Sequence, residues 1–234
     1  MNLHDTRNAS LALGRGPLWG IGWADLADDR VAAPVGWDDR SADIDWTTTI
    51  LTEYTIGPGD HCLVVSDGRD YWPRQFEAAV TSLGGFVGNI NTGSHEVRRL
   101  SVYVRFLAPK IVVGVNAKLA EAIGRDDALV ALLRDVPHVL ALPDAVADLR
   151  QMGVDAQAIS PIGPALAIPC RHGDAAHIDG TQFEMRQHSD GRHIILSTAP
   201  ARELQLTDAV VAATGVVRDR CTCTLAGPVI DLVG

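Results

Sequence analysis

The chain has 234 residues, 47% of them hydrophobic and 21% charged; that balance describes a globular protein able to bury a sizeable core, not a disordered one. The formal net charge of −9, with no dense Lys/Arg run, excludes nucleic acid as the main partner, because phosphate binding needs a basic footprint. No apolar run approaches membrane-spanning length and the N-terminal MNLHDTRNASLALGRGPLWG carries no basic-then-apolar leader, so the expectation is a cytoplasmic protein without membrane contact. In that reducing setting, four cysteines are expected to be thiols or metal ligands, not disulfides.

Residues 1–45 admit no definite assignment, although LWGIGW and VAAPVGW hold three of the five tryptophans. SADIDWTTTILTEYTIG (41–57) reads as a helix ending at Gly57. HCLVVSD (61–67) is a buried strand, and YWPRQFEAAVTSLG (71–84) a helix stopped by Gly84. GFVGNI (85–90) is a second strand, and SHEVRRLSVYVRFLA (94–108) an amphipathic helix opened by Ser94 and halted by Pro109. KIVVGVN (110–116) is strand-like, AKLAEAIG and DDALVALLRD give helical turns, HVLAL (138–142) is a strand, and PDAVADLRQMG (143–153) a helix with proline at its start. Strands separated by helices of this length imply an α/β unit over 46–161, a parallel sheet with covering helices. From 162 to 234 the texture turns β-rich. SDG (189–191) forms a hairpin-type turn that sets Phe183 and Met185 opposite Ile194 and Leu196 on alternating positions, which predicts a smaller antiparallel unit.

Two cysteines stand one residue apart in CTCTLAG, Cys221 and Cys223, and a third lies in IPCRHGDAAHID, Cys170, with His172 and His177 close behind. Three soft thiolates and one imidazole make a tetrahedral Cys3His zinc site, with bonds of about 2.3 Å to sulfur and 2.0–2.1 Å to nitrogen. Such an ion would close a loop of roughly fifty residues inside a β unit with a limited core, where structural zinc can add to folding stability. Residue chemistry leaves His172 and His177 open as the fourth ligand, and unremarkable thiols remain the plain alternative. Cys62, in a buried strand, reads as a packed core thiol.

The order of these pieces resembles the phenylacetate–CoA ligase branch of the adenylate-forming, AMP-binding superfamily. That family's GxRPGDxV is similar to YTIGPGDHCLVV (54–65), and its LGAxVIP and PSYA to SLGGFVGNINTG (82–93) and, after APKIVVG, VNAKLAEA (115–122). Its GPGxxxEC followed by LHI is similar to IGPALAIPCRHGDAAHID (162–179). Its xELVxTxL, RYRTxDL and CxCGR correspond to HIILSTAP (193–200), ELQLTDAV (203–210) and CTCTLAG (221–227). Each match is degenerate; their order and spacing agree from about residue 40 onward. The resemblance implies structural zinc held by Cys170, His177, Cys221 and Cys223, selecting His177 over His172 by its interval from Cys170. It also places Asp208 at the aspartate that grips the ribose hydroxyls, although an isolated aspartate there is more commonly a turn residue.

Against the same pattern, the parts that handle ATP are missing. WADLADDRVAAPVGWDD stands where a Ser/Thr/Gly-rich phosphate loop belongs and would repel a triphosphate. ISPIG (159–163) replaces the YGxTE whose acid holds magnesium, the arginines of RYRTxD are absent, and the sequence stops at Gly234, where relatives continue into a domain bearing a catalytic lysine. Loss of such charge stabilisation costs orders of magnitude in rate, so ATP is not expected as a cofactor and no autonomous ligase activity is expected. The reading that follows is a catalytically reduced, zinc-stabilised module that binds an aryl or acyl group, a CoA thioester, or a partner such as a full-length ligase or another biosynthetic enzyme. The alternative is an enzyme with a repurposed acyl pocket, transferring acyl groups from a preformed adenylate or thioester; a third reading is a redox or metal-handling thiol site. Apolar surface left bare by absent domains would favour homo-oligomers.

The remaining candidates have plainer readings. GFVGNINTG lacks G-x-G-x-x-G spacing, Ser66 has no G-x-S-x-G around it, and His61, His138, His188 and His193 read as surface or satisfied core residues. Tyr71, Trp72 and Phe76 suit helix–sheet packing better than the lining of a residual cavity.

Overall fold

A computed structural model describes residues 16, 18–68, 70–173, 175–218, 221–223, 225 and 227–232. The chain begins with an antiparallel hairpin, β1 (Leu18–Asp25) and β2 (Arg30–Gly36), in the segment whose sequence gave no regular signal. Helix α1 (Trp37–Glu53) follows without a linker and starts four residues before the sequence suggested. Its first turn is closed by Asp39, whose carboxylate accepts the Gly36 N–H at 2.9 Å. Threonines 47, 49 and 52 return their hydroxyls to the carbonyls four residues back. The helix ends before Thr55, which takes a left-handed φ of 58°.

The α/β unit then alternates as expected through β3 (His61–Val65), α2 (Trp72–Ser82), β4 (Phe86–Ile90), α3 (Val97–Leu107) after a short 3-10 turn, β5 (Ile111–Val115), α4 (Ala117–Ile123), α5 (Asp127–Arg134), β6 (His138–Ala141) and α6 (Pro143–Gln151), and adds a strand the sequence did not announce, β7 (Ala156–Ala158). The five strands are all parallel, in the order β4-β3-β5-β6-β7. Asn116 and Asp126 cap α4 and α5 by accepting the N–H three residues on. Both faces of this sheet are covered, which is why β5, IVVGV, is buried at every position. Leu63, Val65, Val112 and Val115 meet α3 to α6 through Leu100, Leu119, Ile123, Leu133 and Leu149. On the other face, Cys62, Val64 and Val113 meet Ile50, Tyr54 and Phe76, together with Leu166 and Ile168 from the second sheet. Gly114 (φ +89°) permits the closest approach: a Cβ there would stand 2.3 Å from the Val65 carbonyl and 2.7 Å from the Trp72 ring.

The second sheet is antiparallel throughout and has seven strands: β8 (Ser160–Ile162), β9 (Ala165–Pro169), β10 (Ala176–His177), β11 (Phe183–Gln187), β12 (His193–Thr198), β13 (Ala209–Arg218) and β14 (Val229–Leu232). Their order is β11-β12-β13-β14-β10-β9-β8. Phe183, Met185, Ile194 and Leu196 all point into its core, as their alternation predicted. The fold class read from the sequence is the one found: a parallel sheet with helices, and a separate antiparallel sheet. Among the described residues, no helix is long and apolar enough to cross a membrane.

Polar groups also join the two sheets. Arg202, in the β12–β13 connection, reaches Asp43 of α1 with two contacts, at 2.9 and 3.1 Å, and lies 3.7 Å from Asp39. All three side chains are buried. Burial pushes the Asp43 carboxyl above its ordinary value, and the Arg202 guanidinium opposes that shift.

Candidate metal centre

The short strand β10 explains why four distant residues meet. It lies between β9 and β14, with Ala176 opposite Pro169 on one side and Ile230 on the other. The turn after β9, which carries Cys170, and the connection into β14, which carries Cys221 and Cys223, therefore emerge beside His177. One ligand atom from each of the four residues lies within 4.8 Å of the others. Cys170 Sγ is 3.6 Å from Cys221 Sγ, and Cys223 Sγ is 3.3 Å from His177 Nε2.

These spacings match the edges of a small tetrahedron. Legs of about 2.3 Å to sulfur and 2.0–2.1 Å to nitrogen require edges of about 3.8 Å between sulfurs and about 3.5 Å between sulfur and nitrogen. A disulfide would need about 2.05 Å between sulfurs, and all four cysteines are free thiols. Burial pushes the Cys170 thiol up to about 12. Burial also works against the Cys221 thiolate, but hydrogen bonds from the Cys223 backbone and side chain and from Cys170 outweigh it and hold that thiol below its usual value. Burial raises Cys223, an effect the bond to Cys221 reinforces. As thiolates these three sulfurs would repel one another, and a cation among them would relieve that repulsion. Burial holds the His177 imidazole below its ordinary value, and its Nε2 faces the cluster, 3.3 Å from Cys223 Sγ. Its Nδ1 is buried and has no hydrogen-bond partner among the described residues. The donor set therefore fits a metal of zinc's preference, and no metal's identity follows from the geometry alone.

Groups from the α/β unit hold the Cys170 turn from behind. Tyr54, at the end of α1, donates its hydroxyl to the Pro169 carbonyl at 2.8 Å. Gln157 of β7 donates to the carbonyls of Cys170 and Gly173 at 3.3 and 2.7 Å. Neither residue has a recognisable local signature, because each acts across more than ten residues of sequence on a backbone carbonyl.

The other candidates are dispersed. His172 lies outside the cluster, exposed, 3.8 Å from Glu53. Cys62 is buried in β3, and burial pushes its thiol up to about 12. Asp208 is exposed on a left-handed turn (φ 53°) and pairs with Arg186 at 2.9 Å. Trp72 and Phe76 are core residues. Ser66 lines a polar cavity of about 290 Å³ at the carboxyl ends of β3 and β4, with Asp67, Asp70, Asn91 and Arg99. Sequence reading missed the Asp39–Asp43–Arg202 cluster, whose arginine lies 159 residues beyond Asp43, and the convergence of His188 and His193 on Asp190.

No protein-family profile matches the sequence, and no curated protein does. Solved structures do. A 2-hydroxyisobutyryl-CoA ligase in the postadenylation state with 2-HIB-AMP superposes with a TM-score of 0.65 at 12% identity, over 94% of this chain and 54% of that one. Its open conformation with 2-HIB-AMP and CoA gives 0.62 at 12%, over 93% and 58%. An E. coli MenE variant with bound OSB-AMS gives 0.51 at 10%, over 94% and 49%.

The chain has the fold of the adenylate-forming CoA ligases. It spans about half the length of these structures. At such low identity the likeness concerns the backbone, and side-chain chemistry must be argued from this chain's own residues.

Proposed function

We propose that this chain is a catalytically reduced, phenylacetate–CoA ligase-like module, stabilised by one structural zinc ion, that binds an aryl or acyl group or its CoA thioester. The observation that carries the reading is the convergence of Cys170, His177, Cys221 and Cys223, four ligand atoms within 4.8 Å drawn from three separate segments. Zinc bound there supplies a cross-link, since four protein ligands leave no position for a reacting water. The closed donor set thus speaks against a catalytic metal. Cys170 anchors the turn after β9, His177 fixes β10, and the Cys-x-Cys pins the entry to β14.

Three features support reduced catalysis. Ser160–Ile162, where the resemblance requires the magnesium-holding acid, is strand β8 and offers no carboxylate. The acidic stretch where a phosphate loop belongs is engaged structurally at its end: the Asp39 carboxylate accepts backbone N–H groups of Gly36 and Glu203, and four residues on Asp43 pairs with Arg202. At Asp208, a ribose would have to displace Arg186. The cavity at the carboxyl ends of β3 and β4 sits where open parallel sheets hold ligands.

The test has two parts. Elemental analysis of native protein is expected to find one zinc per chain. Incubation with ATP, magnesium and aryl acids is expected to give no acyl–AMP exchange, while aryl-CoA thioesters bind in calorimetry. Robust exchange overturns the reduced-enzyme reading, and metal-free native protein overturns the zinc.

A further inference from the structure

A second cluster of ligating side chains occupies the β11–β12 turn, in the stretch HSDGRH. The hairpin is tight: the His188 N–H donates to the His193 carbonyl at 2.9 Å, and the Gly191 N–H to the His188 carbonyl at 3.0 Å. Gly191 takes φ +70°, a left-handed turn position that glycine accepts without strain. His188 and His193 are therefore cross-strand neighbours, and Asp190 lies between them on the turn. Gln187 fastens the base of the hairpin to β13, donating to the carbonyls of His193 and Gly215 and accepting the Val217 N–H.

The Asp190 carboxylate is aimed, not merely nearby. Its Oδ1 accepts the backbone N–H groups of Arg192 at 2.8 Å and His193 at 3.0 Å. Its Oδ2 lies 2.5 Å from His193 Nδ1, and Oδ1 lies 3.2 Å from His188 Nδ1. His188 Nδ1 also accepts the Asp190 N–H at 3.4 Å. Each of the three side chains thus offers one ligand atom within 4.8 Å of the others at the turn.

We propose that His188, Asp190 and His193 form a divalent transition-metal site independent of the Cys3His centre. Two imidazoles and one carboxylate suit first-row cations such as nickel, copper, iron or zinc. The backbone donors that orient the carboxylate play the part that outer hydrogen bonds play around bound metals. The three side chains are 33%, 37% and 38% exposed, so a bound ion keeps open positions for water or a small anionic ligand. Openness separates this site chemically from the closed thiolate centre.

The test uses the full chain, first loaded with one equivalent of zinc and then dialysed against nickel alone. Wild type is expected to retain one further equivalent of nickel, with the weak visible bands of nitrogen and oxygen ligation and no sulfur-to-nickel charge transfer. The His188→Ala/His193→Ala variant is expected to bind nickel at least tenfold more weakly with its zinc content unchanged. Asp190→Asn, which keeps an acceptor for the turn's backbone N–H groups, is expected to weaken binding by a similar factor and guards against a folding artefact. Equal nickel retention in wild type and the double-histidine variant, no retention in wild type, or retention only with sulfur charge-transfer bands would overturn the proposal.

Discussion

The two sheets of this protein are held together by different means. The parallel sheet is buried on both faces, by helices α3 to α6 on one side and by α1, α2 and β9 on the other. Its central strands β3, β5 and β6 are almost continuously apolar and buried. The antiparallel sheet has one apolar cluster, and its strand β10 is two residues long. That short strand nonetheless joins β9 to β14 and so connects the two halves of the sheet. The four-ligand cluster lies at this thin point. The four possible ligands therefore stand where the sheet is narrowest.

Removal of the proposed zinc is expected to give the largest contrast. Chelation, or Cys221→Ser, is expected to cost several kcal/mol, given that zinc binding contributes about 10–16 kcal/mol in isolated finger peptides. A chain of this size loses about 2–4 °C of Tm per kcal/mol, so calorimetry should show the antiparallel sheet melting well before the parallel one. Phe76→Ala, in the parallel sheet's core, is expected to cost about 3–5 kcal/mol with zinc content unchanged. If both changes lower a single transition equally, the two sheets unfold as one unit and the contrast fails.

The buried ion cluster sharpens the comparison at the seam. Arg202→Met leaves Asp43 and Asp39 buried without their cation, an arrangement that costs about 3–5 kcal/mol. Because Arg202 belongs to the antiparallel side and Asp43 to α1, denaturant curves for this variant should show the sheets uncoupling. An effect below about 1 kcal/mol would mean that the seam is held by apolar contacts alone.

The smallest effect concerns Asp60, at the entry to β3. Burial acts to raise its carboxyl, but hydrogen bonds from Lys110 (3.0 Å) and the Gly57 N–H (2.8 Å), and the Lys110 charge, hold it below the ordinary value. A depressed carboxyl contributes stability above its unfolded value of about 3.9, and that stability is lost as pH falls through the folded value. For a half-buried pair still open to solvent screening the contribution is a few tenths to about 1 kcal/mol. Asp60→Asn should therefore be less stable than wild type near neutrality and equal to it in strong acid. A constant difference across that range would contradict the assignment.

Much of the fold was legible in local pattern. Short apolar runs and amphipathic periodicity placed four of the five parallel strands and their helices within a few residues, because each element's own burial dictates its sequence; β7, three residues long, left no such signal. The β11–β12 hairpin followed from SDG. The β1–β2 hairpin was not legible: Ile21 and Trp23 point outward, 68% and 48% exposed, so the apolar signal there does not mark the buried face. The thiol cluster could be suspected from ligand type and spacing, yet choosing His177 over His172 needed an interval borrowed from a resemblance.

By itself the sequence determined which segments become strands and helices, and that three thiols and an imidazole were available to one ion. Only the tertiary structure decided which groups meet. It set Arg202 against Asp39 and Asp43, brought Tyr54 and Gln157 behind the Cys170 turn, and turned two unremarkable histidines towards Asp190. The reason is physical: secondary structure answers to neighbours a few residues away, whereas a site is made by strand order and register, which depend on the packing of the whole chain.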